Sequence, residues 1–61
     1  MNRMREIMLL KRITQKELSR RTGIAQSEIS KIINDEKDIY LKTAKKIARA
    51  LGKPIEYIWP D

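Results

Sequence analysis

The stretch TQKELSRRTGIAQSEISKII, residues 14–33, decides the fold. Thr14 is a good helix N-cap, and Glu17 three positions on completes the capping-box spacing Thr-x-x-Glu. Leu18 then falls on the inward face of a helix predicted to run to about Thr22. Gly23 stands where that helix must stop, because glycine takes the left-handed C′ conformation without a Cβ clash. Ile24 follows as the apolar plug of a tight turn. From Ala25 the helical period resumes, and Ile29, Ile32 and Ile33 at i, i+3 and i+4 form one apolar stripe. The other face carries Gln26, Ser27, Ser30, Lys31 and Asn34, all polar or cationic.

Two helices held in this way make a helix-turn-helix, whose second helix can enter a DNA major groove. Four pieces of the chain carry a wider resemblance. They are Ile13-Thr14-Gln15 with Glu17-Leu18, then Gly23-Ile24-x-Gln26-Ser27-x-Ile29-Ser30, then Ile47-Ala48-x-Ala50-Leu51-Gly52, and last Ile55-Glu56-x-Ile58. In their joint spacing, without a gap over about residues 4–59, they resemble the phage repressors and Cro proteins, the lambda-repressor-like domains. The resemblance implies an all-α, compact five-helix DNA-binding domain with its helix-turn-helix at about 14–33. There are departures from the family. Related sequences often have Arg at the position of Met8, paired with an acid at the position of Ile33; two apolar residues replace that ion pair here. Arg12 stands where the family often has glycine, Asn34-Asp35 take the place of another, and Ala25 takes an N-cap position usual for Ser or Thr.

Composition narrows the function class. Sixty-one residues make one domain, 1–61, near the lower size limit for folding without a metal or disulfide. There is no Cys and no His, which removes a disulfide framework and the usual zinc site. Enzyme readings lack parts: no nucleophile–base pair, no glycine-rich phosphate loop and little volume for a substrate pocket. Asp35, Glu36 and Asp38 cluster, but without a calcium-loop pattern, and read as turn and capping residues. No apolar run reaches the length of a membrane span or a signal peptide, so a cytoplasmic protein is the default. Fourteen Lys and Arg against eight Asp and Glu leave a net charge of +6, which suits a polyanionic partner.

On either side of the central stretch the helical period continues. A first helix is predicted from Asn2 or Arg3 to about Lys11, with Met4, Ile7 and Met8 inward and Leu9 exposed. Asn34-Asp35 turns the chain, since both residue types tolerate the left-handed region. A fourth helix over roughly 41–51 puts Leu41, Ala44, Ile47, Ala48 and Leu51 inward; its start at Tyr40 or Asp38 is poorly specified. Lys42, Lys45, Lys46 and Arg49 face outward, most of them as a solvated face. Gly52 stops this helix, and Pro54 opens a last short one, from Ile55 to about Trp59.

The candidate contacts follow from the polar face of the third helix. Gln26 and Ser27 lie in its first turn, the end that points into the groove in this motif. A Gln amide can read adenine bidentately; Ser27 suits a guanine or a phosphate, and Lys31 on the same face can reach guanine or phosphate. The Gln-Ser pair is the one lambda-type repressors carry at the corresponding place, so base reading through it is what the resemblance implies. Gln15 at the start of the second helix, with Asn34 and Lys37 after the third, are the phosphate candidates. The resemblance adds that Gln15 braces Gln26, and that a two-fold dimer forms through the C-terminal region, where Glu56, Tyr57 and Trp59 lie near the surface. The expected partner is a double-stranded DNA operator, with no cofactor and no metal. The expected role is transcriptional regulation, as a repressor, by operator occupancy. An antitoxin or restriction–modification controller on the same fold, or an interaction module that has lost DNA binding, are the alternatives.

Overall fold

The computed structural model describes residues 1–60, which hold five α-helices: α1 (Met4–Lys11), α2 (Gln15–Thr22), α3 (Gln26–Ile33), α4 (Leu41–Leu51) and α5 (Ile55–Ile58). They pack into a body of 27 × 22 × 18 Å. Every helix sends at least one fully enclosed side chain to a shared centre. These are Met4 and Ile7 from α1, Leu18 from α2, Ile29 from α3, Ile47 and Leu51 from α4, and Ile58 from α5. Met8, Ile32 and Ile33 are buried beside them, so Met8 and Ile33 join the core by apolar packing.

Helix ends account for much of the remaining geometry. Arg12 adopts φ 58°, and the N–H groups of Arg12 and Ile13 donate to Leu9 O (3.2 Å) and Met8 O (2.8 Å). Asp35 repeats this after α3 at φ 57°, with its own N–H on Ile32 O (3.1 Å) and that of Glu36 on Lys31 O (2.8 Å). Both are Schellman closures, which normally seat glycine at the left-handed position. Two non-glycine residues therefore hold a left-handed backbone, at a steric cost. Gly23, at φ 76°, closes α2 without that cost.

Several expectations are corrected. Leu41 is 63% exposed rather than inward, because Ile39, in the extended segment before α4, packs on the core instead. Leu10 is as exposed as Leu9, since the α1 stripe of Met4, Ile7 and Met8 leaves both on the outer side. The helix-1 start falls at Met4, where Asn2 Oδ1 accepts from the Met4 N–H (2.9 Å). The capping box is half made: Thr14 Oγ1 accepts from Glu17 N–H at 3.0 Å, but the Glu17 carboxylate turns to Arg20 and Arg21. α5 ends at Ile58, one residue short of the expected end, and Trp59 is half-buried against the core.

Candidate nucleic-acid interface

The position of α3 is set by α2 and by the three residues between them. Ser19 Oγ donates to Ile24 O (2.5 Å), Thr22 Oγ1 donates to Leu18 O (2.7 Å), and the Ile24 N–H donates to Thr22 Oγ1 (3.2 Å). Ile24 packs against the core under these bonds. The turn is thus closed by side-chain hydroxyls as well as by Gly23, and it fixes the angle at which α3 leaves α2. With Ile29, Ile32 and Ile33 buried, the other side of α3 must face solvent. Gln26, Ser27 and Lys31 are all exposed there, with Ser30 half-buried between them.

Both helices have free amide ends. The first intrahelical bond of α3 runs from Ile29 N–H to Ala25 O (3.0 Å), and Ala25 supplies no side-chain cap. The N–H groups of residues 26–28 are left for an external acceptor, at the positive end of the helix dipole. In α2, Thr14 occupies the Glu17 amide and leaves those of Gln15 and Lys16. Gln15 is half-buried at that end, and Lys16 is exposed beside it. Among the described residues no hydrogen bond joins Gln15 to Gln26, so the brace that the resemblance implied is not made in the free chain.

At the far end of α3 the candidate residues already hold partners. Arg5 donates to Asn34 Oδ1 (2.6 Å), and Lys37 Nζ lies 3.4 Å from Glu28 Oε2. Both members of the lysine pair are about 40% exposed, where an ion pair is weak and a phosphate can displace the carboxylate. Sequence reasoning missed Arg5 and Asn2. Asn2 Nδ2 donates to Ile32 O (2.9 Å) and to Asp35 Oδ1 (3.0 Å), which ties the start of the chain to the end of α3. No local pattern announces a contact across thirty residues.

Charge along α2 is partly neutralised. Glu17 accepts from Arg20 (2.6 Å) and Arg21 (2.7 Å), and these hydrogen bonds, Arg20 first, hold its carboxyl down at about 2. The Arg20 guanidinium is raised above its ordinary value by the same contact. Lys16 and Lys31 have no carboxylate within ion-pair distance among the described residues. An exposed polar helix face flanked by unpaired lysines and two free helix N-termini is built to meet a polyanion.

A turn locked between two short helices, with the second presenting such a face, defines the helix-turn-helix class. The sequence model of the helix-turn-helix family matches residues 4–58, and the chain belongs to that family, which is typical of phage repressors and Cro-like proteins. Membership makes it, in general terms, a DNA-binding transcriptional regulator. No curated protein matches the chain. No helix of the described residues is long and apolar enough to cross a membrane.

Proposed function

We propose that the chain is a sequence-specific repressor that acts by occupying an operator, with α3 in the major groove. The observation that carries this is the outward face of α3, where Gln26, Ser27 and Lys31 stand exposed above a buried isoleucine stripe. Gln26 reads adenine, and Ser27 and Lys31 meet a guanine or its neighbouring phosphate. Gln15, Asn34 and Lys37 hold the backbone on either side, fixing register without reading bases. Regulation is steric: bound protein covers promoter DNA and needs no catalytic step and no cofactor.

One domain of this size spans few base pairs, so the binding unit is a two-fold dimer with half-sites about 34 Å apart. The C-terminal patch suits a weak contact. Tyr57 is 36% exposed, with the Arg3 guanidinium 4.5 Å and the Lys53 ammonium 5.1 Å from its ring centre. Glu56 is exposed beside it, while Trp59 contributes only the part of its ring not packed on the core. A patch this small forms a dimer only at high concentration or on DNA. Selection of bound sequences from random duplexes, followed by sedimentation on the recovered site, tests both claims. A palindromic site carrying two protomers is expected; no enriched sequence would sink the repressor reading, and one protomer at saturation would sink the dimer.

A further inference from the structure

Positive charge is unevenly placed. α4 bears Lys42, Lys45, Lys46 and Arg49 and no acid, four charges against a net +6 for the chain. Among the described residues, none of the four has a carboxylate within ion-pair distance, whereas Arg20, Arg21 and Lys37 do. Two of them, Lys46 and Arg49, meet Arg21 of α2 around a depression of about 300 Å³, with Thr22 and Ala50 as its remaining lining.

From this convergence we propose a second anion site, for a phosphate-bearing ligand, between the C-terminal turn of α2 and the outer face of α4. Three cations around one hollow repel one another, and a multivalent anion relieves that repulsion. The lining contains no acid, which rules out a cationic ligand, and its charge rules out an apolar one. The donors suit phosphoryl oxygens. Arg49 offers a planar fork and Lys46 a mobile ammonium, while Arg21 spends its Nε on Glu17 (2.7 Å) and keeps its terminal nitrogens. Thr22 serves as floor only, because its hydroxyl is used within the turn, and Ala50 leaves room for close approach. The volume is at the lower end of the range for small-ligand sites, about 300–1,000 Å³. No residue of α3 lines the hollow, and Gln15 lies at the other end of α2, so the site stands apart from the groove-facing surface.

The phosphoryl group can belong to a free polyphosphate or nucleotide, or to the backbone of flanking DNA. Titration with inorganic triphosphate, followed by backbone amide shifts and by the thermal midpoint, tests the site. Saturable shifts confined to residues 21, 22, 46, 49 and 50 are expected, with a midpoint that rises with triphosphate. Lys46→Gln and Arg49→Gln should each weaken binding by about two- to fivefold, the range of an exposed ion pair, and the double variant should abolish it. Lys45→Gln removes the same charge outside the hollow and should change nothing. Shifts spread over all cationic residues, or a Lys45→Gln effect equal to that of Lys46→Gln, would overturn the proposal. A short duplex then separates the sources. Shifts at residues 46, 49 and 50 together with 26 and 27 assign the phosphate to DNA, and shifts on α3 alone assign it to a free ligand.

Discussion

Asn2 Nδ2 donates to the Ile32 carbonyl at 2.9 Å, so the second residue of the chain closes the C-terminal end of α3. The same amide reaches Asp35 Oδ1 at 3.0 Å, and Asn2 Oδ1 caps the start of α1 through Met4 N–H at 2.9 Å. One side chain therefore holds two helix ends. Asn2→Ala should cost roughly 1–3 kcal/mol, two or so net hydrogen bonds at a partly buried site. Urea unfolding would show it, and faster amide exchange at Asp35 and Glu36 should accompany the loss. An unchanged midpoint would mean that water replaces these bonds at no cost.

Arg12 holds a left-handed conformation, φ 58°, that its Cβ disfavours. Arg12→Gly should stabilise the fold by about 1 kcal/mol, the relieved strain less the added freedom of the unfolded chain. Asp35→Gly relieves a similar strain, φ 57°, but forfeits the bond from Asn2, so its gain should be smaller or reversed. Thermal melts of the two variants rank them directly; equal gains would remove the Asn2–Asp35 contact from the balance.

The lowered Glu17 carboxyl makes a statement about acid stability. Its folded value is about 2 against an ordinary 4.5, so the charged form favours the folded state. The contribution is complete above the unfolded value and disappears as pH falls from about 4.5 to about 2. Glu17→Gln should be less stable than the parent near neutral pH, and the two should converge over that acid window. Because the group is exposed, added salt should shrink the difference. Parallel curves down to the acid limit would show that Arg20 and Arg21 do not stabilise the Glu17 carboxylate.

On DNA, removal of a base reader and of a phosphate contact should be distinguishable. Gln26→Ala should cost about 1–3 kcal/mol on the preferred site and relax one base position. Lys37→Ala should weaken binding to all sequences alike and reduce the salt slope by about 1. Glu28→Gln frees Lys37 from its partner at 3.4 Å and should tighten nonspecific binding. Gel shifts over a salt series measure all three. Parent-like affinity and preference for Gln26→Ala would show that α3 is not the reading element.

Residues 14–33 determined most of the architecture by local means. Thr14 as cap, Gly23 as stop and the isoleucine spacing of α3 act within a few positions of one another, so their consequences need no distant partner. The outward set Gln26, Ser27 and Lys31 follows from the same period, since burying one stripe of a helix exposes the other. One local choice stayed open: Glu17 had the Thr14 amide or two arginines of its own helix within reach, and charge-assisted bonds to the arginines won. Tertiary structure alone decided the rest. Ile39 rather than Leu41 filled the core beside α4, because the extended segment before that helix delivers Ile39 to the gap. Asn34 met Arg5, Lys37 met Glu28, and Asn2 met Ile32 for a similar reason. These polar contacts join residues on different segments of the chain, and which of them meet depends on how five apolar stripes pack around one centre.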